Sequence, residues 1–151
     1  MIVSASISVF EALWKKMKKE AFHGVRDLPS GLISGSDISP QAIDAAKTNA
    51  KTIPKGNKKG FRVLALDNID DLSDRFIVCN PPYGIRLGKE QDLKLFYKEL
   101  GNFLKRKCKG STAFIYFGDR KWIPDIELKP SWKKAVKSGG LDGRLAKFEM
   151  Y

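Results

Sequence analysis

Histidine is nearly absent from the 151 residues, which hold one, His23, and only two cysteines, Cys79 and Cys108. Two thiols cannot build a disulfide framework, and both read as reduced side chains of a cytoplasmic protein. His23 falls beside Gly24 at the end of a predicted helix, where capping or solvent contact explains it better than catalysis. No apolar run approaches 18 residues, which excludes a membrane-spanning helix. The opening residues place no basic group before their apolar stretch, so no signal peptide is expected. Acid is the scarcer charge, 17 Asp+Glu against 28 Lys+Arg, for a net charge of +11. The surplus is uneven, with 12 basic and 9 acidic residues in 1–75 against 16 and 8 in 76–151. A field of this sign favours polyanions, although many small basic proteins bind none.

What is present is enough for one packed domain. Hydrophobic residues make up 42% and aromatics 11%, which argues against disorder. Ser8 and Glu11 have capping-box spacing, and Phe10, Leu13, Trp14, Met17 and Ala21 follow at helical spacing, predicting a helix over about 8–22. Leu32 to Asp37 reads as a short strand ending on a carboxylate. Ser39-Pro40 then starts a helix that runs to about 53, with Ala42, Ile43, Ala46, Ala50 and Ile53 as its buried stripe. Residues 54–60 form a basic loop. Phe61 to Leu66 is a second strand reaching Asp67, and Phe76 to Cys79 a third reaching Asn80.

Leu93, Phe96, Tyr97, Leu100, Phe103 and Leu104 mark the clearest helix, closed by Lys105, Arg106 and Lys107, where cations suit the helix dipole. Thr112 to Phe117 is an unbroken apolar strand of the kind found at a sheet centre. A short irregular or helical piece covers 119–127, and the last 20 residues read as a hairpin around 138–143. The order predicts an α/β fold with a mainly parallel, doubly wound sheet and a C-terminal antiparallel hairpin. In such sheets ligands lie beyond the carboxyl ends of the strands, where Asp37, Asp67 and Asn80 are all expected.

Asp37 could receive a ribose diol or simply turn the chain into Ser39-Pro40. Asp67 could receive an adenine amino group or be an ordinary loop acid. Asn80-Pro81-Pro82-Tyr83 is far more specific, since four such choices coincide about once in 10⁵ positions. An exocyclic amine of a nucleobase is a poor nucleophile, because its lone pair is conjugated into the ring. Carbonyl oxygens of the Asn80 side chain and the Pro81 backbone can accept its two N–H bonds and favour a tetrahedral nitrogen. Proline fixes the backbone there and adds no competing donor. The Tyr83 ring can stack on the base.

The sequence resembles the class I S-adenosylmethionine-dependent N-methyltransferases with an Asn-Pro-Pro-Tyr motif. More narrowly it is similar to the THUMP-associated RNA methylases, a group also labelled N6-adenine-specific DNA methylases that includes bacterial 23S rRNA guanine-N2 enzymes. The likeness is carried by 35–39 with Ala42-Ile43 and Asn49-Ala50, by 80–88, by Leu95-Phe96-Tyr97 with Leu100-Gly101, and by the ending 143–151. It implies a Rossmann-like sheet, S-adenosylmethionine without a metal, RNA as partner and rRNA processing as the setting. Asp37 with Ile38, and Asp67 with Asn68, would bind the cofactor together with Asn80. Asn80, Pro81, Pro82 and Tyr83 would form the target-amine site, and Arg86 would meet substrate phosphate or order the loop. The family's Asp-Pro-x-Cys-Gly-Ser-Gly-Thr loop, the strand before it and the THUMP domain have no counterpart in residues 1–151. The chain is therefore expected to be the C-terminal two-thirds of the catalytic domain. A segment supplied by an N-terminal fragment would then fill the gap between the strands ending at Asp37 and Cys79.

Overall fold

The computed structural model describes residues 7–26, 29–53, 60–82, 90–138 and 141–151. They fall into two compact units, Met1–Leu64 and Ala65–Tyr151. No described helix is long and apolar enough to cross a membrane.

In the first unit, α1 spans Ile7–His23. It begins before Ser8, which therefore lies inside the first turn instead of at the expected N-cap. The apolar stripe is present but uncovered: Phe10, Leu13, Trp14, Met17 and Ala21 are all exposed. Strand β1 (Ser34–Asp37), helix α2 (Pro40–Lys51) and strand β2 (Gly60–Val63) follow as a parallel crossover unit. The Ser39 hydroxyl accepts from the Ala42 N–H at 3.2 Å, and Pro40 occupies the first turn, where its missing N–H costs nothing. Of the expected α2 stripe only Ile43 and Ala50 are buried; Ala42 and Ile53 are exposed. Of the basic loop expected at 54–60, residues 54–59 lie outside the described residues and Gly60 begins β2.

Strand β2 ends three residues before Leu66. Its last pair is Asp37↔Val63, and the Leu64 N–H bonds the Asp37 carbonyl at 2.9 Å. Because β1 turns into α2 directly after Asp37, nothing remains there to pair Ala65 and Leu66. Asp67 therefore sits in a 3₁₀ turn, Leu66–Asn68, and not at a strand end.

The second unit holds β3 (Phe76–Cys79), α3 (Glu90–Lys107), β4 (Thr112–Phe117), β5 (Trp132–Ser138) and β6 (Leu141–Glu149). Its sheet order is β3-β4-β6-β5. β3 and β4 are parallel and joined through α3, whereas β6 runs antiparallel to both β4 and β5. The apolar strand β4 is central and the hairpin forms as expected. The fold is α/β as expected, with a two-stranded parallel sheet holding β1 and β2 and a four-stranded mixed sheet holding the rest. The crossovers from β1 to β2 and from β3 to β4 each contain a helix, as parallel neighbours usually require.

One face of this sheet carries the core. Leu93, Tyr97, Leu100, Phe103 and Leu104 of α3 pack on Ala113, Ile115, Phe117, Ala146 and Phe148. Each fully buried large side chain is worth about 1.5–3 kcal/mol. Phe76 and Val78, on the other face of the edge strand β3, are 83% and 82% exposed. A 3₁₀ turn at Pro124–Ile126 lies so close to α3 that a Cβ on Gly101 would overlap the Ile126 carbonyl oxygen. Gly101→Ala should therefore destabilise the chain by about 1–3 kcal/mol in urea unfolding, the usual cost of overpacking. An unchanged midpoint would contradict this close approach.

Candidate functional site

Strand β3 delivers Asn80 at its carboxyl end. Asn80 is exposed, and no described residue hydrogen-bonds its carboxamide, so its carbonyl remains available as an acceptor. Pro81 is fully buried and Pro82 half-buried, so the motif is seated in the core with its asparagine facing outward. Tyr83 and Arg86 lie outside the described residues.

Tyr97 of α3 reaches this segment. It has no exposed surface, and its ring stacks on Phe117 at 5.3 Å and on Trp122 at 5.8 Å. Its hydroxyl donates to the Pro82 carbonyl at 3.4 Å. Burial, with smaller contributions from Cys79 and Asp119, pushes the phenol above its ordinary range, so it stays a protonated donor. Burial likewise raises the Cys79 thiol to about 11 and is the larger cause of the same rise at Cys108. Both cysteines are free.

Asp67 occupies the 3₁₀ turn of the same unit. Its side chain is exposed, and no described residue bonds its carboxylate. Its backbone, however, is tied to the end of α3: Lys107 Nζ donates to the Asp67 carbonyl at 3.2 Å and the Ile69 carbonyl at 2.7 Å. The Leu72 N–H returns a bond to the Lys107 carbonyl at 2.7 Å. Buried Ser111 extends the attachment, donating to the Leu72 carbonyl at 2.6 Å and accepting from the Arg75 N–H at 2.8 Å. A hollow of about 270 Å³ lies beside the turn, lined by Asp67, Glu99, Asn102, Phe103, Arg106 and Lys107. Asn68 is exposed next to Asp67.

Asp37 and Ile38 belong to the first unit. Asp37 ends β1 and first serves the chain, accepting the Ser39 N–H on Oδ1 at 2.8 Å, which leaves its second oxygen for another donor. Ile38 is 72% exposed. Asn80–Pro82 and Asp67–Asn68 thus share one unit and one supporting helix, while Asp37–Ile38 stands in the other. Tyr97 and Lys107 were legible only as a core residue and a dipole-matched cation. The one available signal was a phenol in a stripe where phenylalanine would pack equally well.

A second hollow, about 370 Å³, lies among Glu90, Gln91, Lys94, Lys121, Trp122 and Asp125. Its charges satisfy one another, with Lys121 2.7 Å from Glu90 and Lys94 3.9 Å from Asp125. Among the described residues no group of three His, Cys, Asp or Glu side chains is arranged to hold a metal ion.

The buried thiols give a pH dependence of defined sign. An unfolded thiol ionises near 9.0 and the folded ones near 11, so the native state retains the protons between those values. Unfolding free energy should fall as pH rises from about 9 to about 11, and Cys79→Ala with Cys108→Ala should flatten that fall. Denaturant titrations across this window check it; a slope unchanged by both substitutions would contradict it.

Residues 1–147 match the family model described as UPF0020, RMKL-like, methyltransferase domain. A Synechocystis protein provisionally named an RNA methyltransferase is 36% identical over 140 residues, covering 92% of this chain and 36% of its own length. The ribosomal RNA large subunit methyltransferase K/L of Hydrogenovibrio crunogenus is 37% identical over 147 residues, covering 93% of this chain and 20% of its own. The chain thus spans about a third or less of these relatives. The crystal structure of SMU.472, described as a methyltransferase complexed with SAH, superposes with a TM-score of 0.79 at 23% identity. That match covers 93% of this chain and 37% of SMU.472, and it is a likeness of fold.

Proposed function

The chain belongs to the RMKL-like methyltransferase-domain family, and from that premise we propose that it carries the amine-accepting part of an RNA methyltransferase. The observation that carries the reading is Asn80-Pro81-Pro82 at the end of β3, with an exposed, uncommitted carboxamide on a buried proline step. The Asn80 side-chain carbonyl and the Pro81 backbone carbonyl accept the two N–H bonds of an exocyclic base amine. That arrangement draws the nitrogen lone pair out of conjugation and aims it at the methyl group in an in-line displacement, with no covalent enzyme intermediate. On the resemblance, Tyr83 would stack on the base, and Arg86 would meet substrate phosphate or order the loop.

S-adenosylmethionine, when bound, supplies an electrophilic methyl group. Taken by itself in the second unit, the uncommitted Asp67 carboxylate matches an adenine amino group, with Asn68 alongside. The second oxygen of Asp37 matches a ribose hydroxyl, and exposed Ile38 offers apolar contact. Guanine N2 of 23S rRNA is the proposed target; relatives named for large-subunit rRNA support the rRNA, and the base position rests on the resemblance alone. Adenine N6 in DNA or RNA would use the same acceptors. The basic second half favours a polyanion, with exposed Lys129, Lys133 and Lys134 in a stretch, 128–141, that contains no acid.

A second reading has a specific observation in its favour. β3 is an edge strand whose Phe76 and Val78 are open to solvent, and such an edge invites another strand. In this reading the chain is half of a split domain, inactive until an N-terminal polypeptide pairs with it. Calorimetry decides: micromolar binding of S-adenosylmethionine by the isolated chain would contradict the split reading.

For the main reading, the chain is joined to an N-terminal segment carrying the cofactor loop that the resemblance implies. Asn80→Ala is expected to lower methyl transfer to RNA by at least about 10²-fold, as removal of a positioned transition-state partner does. Undiminished turnover in that variant would sink the assignment.

A further inference from the structure

We propose that α3 is the spacer that fixes the separation between the amine-accepting loop and the cofactor-facing turn, acting through Tyr97 at the first and Lys107 at the second. The inference rests on the reading of Asn80 and Asp67 given above. Both positioning residues lie on one continuous helix, ten residues apart, a rise of about 15 Å. Each holds backbone, so neither needs to touch substrate or cofactor.

At the loop, packing alone does not account for a tyrosine. A phenylalanine at 97 would stack on Phe117 and Trp122 equally well, whereas a buried phenol must find an acceptor. The acceptor found is the Pro82 carbonyl. Two prolines already restrict this segment, and the hydroxyl fixes its remaining freedom relative to the helix.

At the turn, Lys107 does more than complement the helix dipole. Its ammonium is committed to carbonyls 40 and 38 residues earlier in the chain, one on each side of Asn68. Its own carbonyl takes the Leu72 N–H, so the segment carrying Asp67 is held at three points along one helix end. In-line transfer tolerates little misplacement, a shift of about 1 Å costing about 10²-fold in rate. A rigid helix bonded to both elements supplies that precision.

The predicted signature is a split. In the joined protein, Tyr97→Phe should lower kcat about tenfold and leave KM for S-adenosylmethionine within about twofold. Lys107→Met should raise that KM about tenfold, and Lys107→Arg, which keeps a cationic donor, should recover most of the loss. Amide hydrogen exchange on the full 151-residue chain gives a readout independent of turnover. Lys107→Met should speed exchange in 66–72, Tyr97→Phe should speed it at Cys79 and Asn80, and neither should affect the other's segment.

Asn80→Ala and Asp67→Ala are measured in parallel. If these two leave turnover and cofactor KM intact, the functional reading fails. If they impair them while Tyr97→Phe and Lys107→Met do not, the spacer alone fails. Should the joined protein show no turnover, exchange decides, and protection unchanged in both variants overturns the proposal. A loss of thermal stability without the split overturns it as well.

Discussion

The burial of Tyr97 is the constraint on which the second unit depends. Its ring lies between Phe117 of β4 and Trp122 of the following 3₁₀ turn, so α3 can neither rotate nor slide without opening the core. The same side chain ends in a hydroxyl that has to be satisfied, and the Pro82 carbonyl satisfies it. Packing and polar satisfaction are thus met by one residue, and the rigidity of the core extends to the proline step after β3. Lys107 and Ser111 do the same for the segment entering β3 from the Asp67 turn. The chain between Leu66 and Pro82 is held at both ends by elements that follow it in sequence.

Much of this architecture was legible from periodicity. The α3 stripe, the apolar run of β4 and the terminal hairpin were strong signals, because each element buries a continuous face against its neighbours. Ser39-Pro40 was equally clear, since capping is a local interaction that needs no knowledge of the rest of the fold. Ser8 and Glu11 show the limit of that reasoning: the spacing of a capping box was present, and the helix started before it. The end of β2 was misread for a different reason. Leu64, Ala65 and Leu66 are apolar enough for a strand, but strand length depends on a partner, and β1 stops at Asp37.

The site divides along the same line. Asn80-Pro81-Pro82 stood out as a candidate because its residue types are rare together and each has a chemical reason to be proposed there. Asp67 was readable only as a candidate, and its setting in a 3₁₀ turn held by Lys107 depends on a contact 40 residues distant. No local pattern encodes such a contact. The exposed stripe of α1 and the open face of β3 are surfaces whose composition suits burial but which no described neighbour in their own unit covers. Periodicity tells which face of an element is apolar; it does not tell what lies against it.

The account turns on where the methyl group goes. The joined protein would be incubated with RNA and a methyl-labelled donor, the RNA digested to nucleosides, and the labelled position identified by mass spectrometry. The account predicts label on an exocyclic amine, N2 of guanosine in the leading reading, and its loss in Asn80→Ala. Label on a ribose hydroxyl, a ring nitrogen or a ring carbon would contradict it.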